Sequence, residues 1–275
     1  MGSVTDPVDC LRAVLPTLRR RPAALLTDVD GTISRIAPRP QEATVDPQTV
    51  DVLRRLSRAL DVVAVVSGRS VSELRSMIQV EGLTYVGNHG LEWWEDGEAI
   101  VAPEARPFLP GVAATMRCLR ERLDLPGLLV EEKGVTGSIH FRLSPDPREA
   151  RQAILHALAE CPPADGLRIS EGRKVFDLLP PVMASKGTAV RQLVRSHHLR
   201  GVLYLGDDST DLDAFRELRN LRTAGICDSL LVAVASPEAP EELLAQADCQ
   251  LDGVDSALVF LAITTSWVEE ALPRT

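Results

Sequence analysis

The sequence predicts an α/β protein, a parallel sheet flanked by helices and interrupted by a smaller inserted α+β domain. Three observations carry this expectation. Short, wholly apolar segments alternate with amphipathic ones at the start of the chain. Near residue 105 the alternation gives way to a helix–strand–strand pattern that occurs twice. The first pattern then returns after Pro180-Pro181. Continuous apolar strands separated by helices imply a parallel sheet covered on both faces. The boundaries that follow are 1–107 with 184–275 for the sheet domain, and 108–183 for the insert.

The elements follow in order. Strands are expected over 23–29 (AALLTDV), 62–67 (VVAVVS) and 83–87 (LTYVG). Between them, 49–60 and 70–78 repeat apolar residues at helical spacing, and Asp46-Pro47 and Ser70 stand where helices begin. In the insert, a helix over 111–124 precedes two strands within 128–143, turning near Gly134 and Gly137. Ile139, Phe141 and Leu143 fall on one face of the second strand, His140 and Arg142 on the other. A helix at 149–159 and a strand pair at 167–179 complete it. The sheet domain resumes with a helix at 185–199, a strand at 201–208 (GVLYLGDD) and a helix at 211–218.

Bulk properties exclude several functions. The chain has 275 residues and a formal net charge of −9, which argues against a nucleic-acid or anionic-membrane surface. Its apolar runs are too short to span a membrane, and MGSVTDPVDC lacks the features of a secretory leader. The five scattered cysteines form no CxxC pair or metal-spaced cluster, and read as buried free thiols in a reducing cytoplasm. A cytoplasmic protein, monomeric or a small homo-oligomer, is expected.

The chemistry gathers where three apolar strands end: LLTDVD at Asp28 and Asp30, VVAVVSGR at Ser67 and Arg69, and VLYLGDD at Asp207 and Asp208. Ligand sites in open parallel sheets lie at the carboxyl ends of strands. Clustered carboxylates without histidine or thiol partners suit a hard cation, best Mg²⁺. An Asp held there can attack phosphorus, and a second acid two residues on can protonate the leaving alcohol and then deprotonate water. Only three of the 30 basic residues are lysines. One of them, Lys186, opens a helix, where a cation is electrostatically misplaced unless it meets negative charge. Asp211, also at a helix start, is equally suited to capping.

Asp28-Val29-Asp30-Gly31-Thr32, Ser67, Lys186 and Gly206-Asp207-Asp208-Ser209-Thr210-Asp211 resemble, in order, the four motifs of haloacid dehalogenase-like (HAD) phosphatases. The resemblance implies a Rossmann-like core with an α+β cap. It makes Asp28 the nucleophile and Asp30 the general acid/base. Mg²⁺ would be held by Asp28, Asp30 through its carbonyl, and Asp207, with Asp208 or Asp211 in support. Within that superfamily, VVSGR, GNHGLE (87–92), EEKG with IHFR, and GDDSTDLDAF resemble the trehalose-6-phosphate phosphatases. That likeness implies a sugar-phosphate substrate, contacted by Arg69, Asn88 and His89 from the core and by Glu131, Lys133, His140, Arg142 and Asp177 from the cap. Asp177 and Leu179 stand where that family usually has Glu and Arg. The alternative is therefore another phosphorylated glycoside, such as a glycosyl-3-phosphoglycerate, or phosphomutase action.

Overall fold

The computed structural model describes residues 4–161, 164, 166–172 and 174–271. Residues 1–3, within the segment read for a leader, and residue 173, inside the second predicted strand pair, lie outside the described residues. Two compact units emerge, Met1–Gly90 with Ala184–Thr275, and Leu91–Met183.

The chain opens with α1 (Pro7–Leu18), β1 (Ala23–Thr27), α2 (Pro47–Ala59), β2 (Val62–Val66), α3 (Val71–Ile78) and β3 (Thr84–Gly87). The second unit holds β4 (Glu92–Glu95), β5 (Glu98–Val101), α4 (Leu109–Arg122), β6 (Leu129–Glu132), β7 (Gly137–His140), α5 (Pro147–Ala159), β8 (Arg168–Gly172) and β9 (Val175–Leu179). The first unit resumes with α6 (Lys186–Ser196), β10 (Gly201–Gly206), α7 (Asp211–Thr223), β11 (Asp228–Ala235), α8 (Glu241–Gln246), β12 (Cys249–Asp252) and α9 (Gly253–Ala271). None of the described helices is long and apolar enough to cross a membrane.

In the first unit, β12-β11-β10-β1-β2-β3 run side by side and parallel. Every residue of β1, β2 and β10 is buried, as their unbroken apolar runs require. Chain order reverses about β1, with β2 and β3 on one side and β10, β11 and β12 on the other. This is the switch point where the ends of neighbouring strands leave a crevice. Helix starts follow their sequence signals. Asp46 caps α2 through the Gln48 amide at 2.8 Å, and Ser70 and Glu73 close a capping box on α3.

In the second unit, β4 and β5 form an antiparallel hairpin. It turns through Asp96 and Gly97, both at positive φ (49° and 92°), as a two-residue primed turn demands. The unit thus begins at Leu91, upstream of the expected boundary at 108. A four-stranded sheet of this unit has the order β6-β7-β9-β8, wholly antiparallel. Val112, Met116 and Leu119 of α4 and Ala150, Ile154 and Leu158 of α5 pack with Ile139, Phe176 and Leu178 of the sheet. A Cβ on Gly137 would stand 2.2 Å from Met116 Sδ, so only glycine lets α4 sit this close. The strand at 137 is shorter than the alternation suggested. It ends at His140, Phe141 stays buried, and Leu143 is 45 % exposed.

The cysteines divide. Cys10, Cys227 and Cys249 are buried free thiols, but Cys118 and Cys161 are joined by a disulfide with 6.1 Å between their Cα atoms. This corrects the reading of all five as free. Cys118 lies on α4 and Cys161 just beyond α5, so the pairing follows from helix packing and has no signature in sequence spacing.

Candidate active site

Asp28 continues the β1 ladder, its amide donating to the Leu205 carbonyl at 2.9 Å. The chain then folds back, with the amides of Thr32, Ile33 and Ser34 all donating to the Val29 carbonyl and that of Gly31 to Ser34 at 2.7 Å. Gly31 is obligatory there. Its φ is +85°, and a Cβ would lie 2.1 Å from an Asp207 carboxylate oxygen. Asp207 follows β10, the hydrogen-bonded neighbour of β1, and the Thr32 hydroxyl donates to its Oδ1 at 3.3 Å.

Lys186, the first residue of α6, is 3 % exposed. Its Nζ lies 2.8 Å from Asp28 Oδ1 and 2.8 Å from Asp211 Oδ1. A capping box of Ser185 and Thr188 sets the start of α6. Asp211 Oδ1 also accepts from the Tyr204 hydroxyl at 2.7 Å, while Oδ2 accepts from the amides of Asp207 (3.1 Å) and Asp208 (3.0 Å). Oxygens of Asp28, Asp207 and Asp211 all lie within 4.8 Å of one another.

The charges of this cluster do not balance. Three ionised carboxylates against one ammonium would leave two negative charges in a buried place. Burial, aided by Asp211 and Asp207 and opposed by Lys186, drives the Asp28 carboxyl well above its ordinary range. Burial depresses Lys186, but Asp211 and Asp28 outweigh it and hold the ammonium charged. Burial likewise raises the Tyr204 phenol, reinforced by Asp211. An all-oxygen donor set with a two-charge deficit fits a hard divalent cation.

The remaining core residues form a second layer. Arg69 is buried and forks onto Asp30, Nε to Oδ2 at 2.6 Å and Nη2 to Oδ1 at 2.7 Å. Ser67, 2 % exposed, stands at the end of β2. Asn88 and His89 both adopt left-handed backbone, φ 49° and 58°. Their amides donate to the carbonyls of Arg69 (2.7 Å) and Ser67 (3.0 Å), so GNHG is stitched to VVSGR. Asp208 stands outside the three-carboxylate cluster and accepts from the Ser209 amide at 2.5 Å.

In the second unit, Glu131 Oε2 lies 3.0 Å from His140 Nε2 and 3.5 Å from Lys133 Nζ. Burial pushes the Glu131 carboxyl up, but the His140 hydrogen bond and the Lys133 charge prevail and hold it below its ordinary range. Ser138 donates to Asp177 Oδ1 at 2.5 Å. Arg142 lies past the end of β7.

Asp28, Lys186, Asp207 and Asp211 therefore converge, and Asp30 with Arg69 forms a pair beside them in the same loop system. Tyr204, Thr32 and Ser138 were not singled out as site residues, Thr32 standing in the sequence reading only as the end of its motif. The hydroxyl of Tyr204 in an otherwise apolar buried strand was a signal for the first. For the third, Ser138 shares strand parity with His140.

The family model described as trehalose-phosphatase matches residues 26–242. A trehalose-phosphate phosphatase of Mycolicibacterium paratuberculosis is 32 % identical over 235 residues, covering 82 % of this chain and 59 % of that protein. Trehalose-phosphate phosphatase B of Arabidopsis thaliana is 30 % identical over 212 residues, 71 % of this chain and 56 % of that one. A Mycobacterium tuberculosis protein described as an uncharacterized glycosyl hydrolase is 35 % identical over 209 residues, 73 % of this chain but 15 % of its own length. The chain thus spans under two thirds of each of these relatives. Among solved structures, the C-terminal domain of C. albicans trehalose-6-phosphate phosphatase superposes with a TM-score of 0.77 at 20 % identity, covering 97 % of this chain and 98 % of that one. That likeness shows a shared fold.

Proposed function

The chain belongs to the trehalose-phosphatase family, and from that premise we propose that it hydrolyses trehalose 6-phosphate to trehalose and phosphate with Mg²⁺ as cofactor. The observation that carries this reading is the buried set of Asp28, Asp207 and Asp211 around Lys186, three carboxylates against one ammonium.

In this reading an Asp28 oxygen attacks phosphorus and the bond to the sugar oxygen breaks. Asp30 gives its proton to the departing alcohol. Asp30 then takes a proton from water, whose oxygen attacks the aspartyl-phosphate, and phosphate leaves with Asp28 regenerated. Arg69, forked onto Asp30, orients that carboxyl. Lys186 fixes the Asp28 carboxylate and offsets charge on the phosphoryl oxygens, with the Ser67 hydroxyl as a further donor. Asp28, Asp207 and the Asp30 carbonyl are assigned as ligands of Mg²⁺, which when bound offsets the developing negative charge. Asp211, whose oxygens already accept from Lys186, Tyr204 and two amides, takes the supporting part, as does Asp208. Residues 91–183 are assigned the specificity-giving part, Glu131, Lys133, His140, Arg142 and Asp177 being its candidate sugar-recognition residues, and Asn88 and His89 are candidates in the first unit.

Phosphate release from a panel of sugar phosphates, with Mg²⁺ and with EDTA, tests the reading. Trehalose 6-phosphate should stand well above glucose 6-phosphate and the glycosyl-phosphoglycerates, and Asp28→Asn should abolish release. Mg²⁺-dependent release confined to another ester overturns the sugar assignment. Release indifferent to EDTA overturns the metal assignment.

A further inference from the structure

We propose that Ser138 is a positioning residue for substrate recognition, acting by orienting the Asp177 carboxylate. The inference rests on the sugar-phosphate reading above and assigns a part to a residue outside that reading.

Register builds the argument. Glu131 of β6 pairs with Ser138 of β7, Ser138 with Asp177 of β9, and Asp177 with Ser170 of β8. These four residues form one polar row across all four strands. The residues on the other face, Val130, Ile139 and Phe176, pack with α4 and α5. The two acids of the row stand two strand spacings apart, roughly 10 Å between their backbones.

Their environments differ. Glu131 meets two cationic or protonatable groups, His140 and Lys133. Asp177 is half-buried and receives the Ser138 hydroxyl on Oδ1, while Oδ2 has no donor among the described residues. A carboxylate with one oxygen anchored by a neutral hydroxyl and the other open suits a neutral hydroxyl donor, the chemistry of a sugar. An Asp side chain keeps rotamer freedom that must be lost on binding. Ser138, 1 % exposed and directly opposite, removes that freedom beforehand, which is how preorganisation raises affinity. The short acid at 177 lies within reach of the Ser138 hydroxyl because the two are cross-strand partners.

The test is a double-mutant cycle on Ser138→Ala and Asp177→Ala, read as KM and kcat for the phosphate ester the wild-type protein prefers. Para-nitrophenyl phosphate serves as a sugarless control. Ser138→Ala should raise KM for the sugar ester about tenfold, in the range of one charge-assisted hydrogen bond, with kcat within about twofold. It should leave the aryl ester unchanged. In an Asp177→Ala background it should have no further effect, and Ser138→Thr should restore most of the affinity. Additive effects of the two substitutions, or equal losses on both esters, overturn the proposal. Preference for an ester other than trehalose 6-phosphate sinks the substrate assignment alone, because the cycle is run on the preferred ester.

Discussion

At the ends of β1 and β10, Lys186 is 3 % exposed and is held by two carboxylates drawn from segments far apart in the chain. On the sheet of the second unit, His140 and Glu131 have side chains 23 % and 11 % exposed, and Lys133 and His140, which pair with Glu131, lie within nine residues of it. The first arrangement is desolvated and carries unbalanced charge; the second is local, partly wet and nearly neutral. The contrast teaches where each side chain's energy resides. In the core cluster, removal of one group strands another charge in a buried place. On the cap sheet, removal of one group loses a hydrogen bond that water can partly replace.

The sharpest way to break this comparison is Lys186→Gln. The variant should lose activity by at least about a hundredfold and destabilise the first unit by about 3–5 kcal/mol, measured by steady-state kinetics and urea unfolding. A cost below about 1 kcal/mol would mean that the core cluster is no more desolvated than the cap face. Reduction of Cys118–Cys161 should come next. The bridge closes a 43-residue separation and should contribute about 2–4 kcal/mol to the second unit. Denaturant titrations with and without reductant should move the transition of that unit and leave that of the first in place.

Acid sharpens the comparison further. The Glu131 carboxyl is held below its ordinary range by His140 and Lys133 against the opposing effect of burial. A depressed acid contributes stability above its unfolded pKa and loses it as pH falls through the folded value. The second unit should therefore weaken below about pH 4, near the ordinary glutamate range, and Glu131→Gln should weaken less over that interval. Equal acid sensitivity in both proteins would remove the electrostatic role given to His140 and Lys133. The smallest effect belongs to Arg151–Glu171, a bidentate pair at 2.7 and 2.8 Å with side chains 47 % and 37 % exposed. Arg151→Ala should leave the unfolding midpoint unchanged within scatter, because solvent and salt screen such pairs.

What could be read in advance follows the same division. The parallel sheet and its strand-end acids were legible because buried parallel strands must be apolar throughout, so a carboxylate at their ends stands out. Asp28 and Asp207 stood out that way as candidates, and Lys186 as a cation at a helix start, where it is electrostatically misplaced unless it meets negative charge. Four donors saturate Asp211, a feature legible only once β10 and α7 are folded against each other. The Asp96-Gly97 turn carried a hairpin signal, but the grouping of that hairpin with the second unit depends on tertiary packing. The Cys118–Cys161 bridge was hidden for the same reason. Ser138 is a further example, since parity with His140 puts it on the polar face but its neighbour Asp177 is set by cross-strand register.

The account centres on covalent attack by Asp28, and trapping tests that directly. Asp30→Asn is mixed with para-nitrophenyl phosphate, whose phenolate leaves without needing a proton from residue 30, and the quenched protein is mapped by mass spectrometry. One phosphoryl group per chain on the peptide containing Asp28, absent when EDTA is added, is the predicted result. A burst with phosphate on another residue, or turnover without any phosphorylated protein, would contradict it.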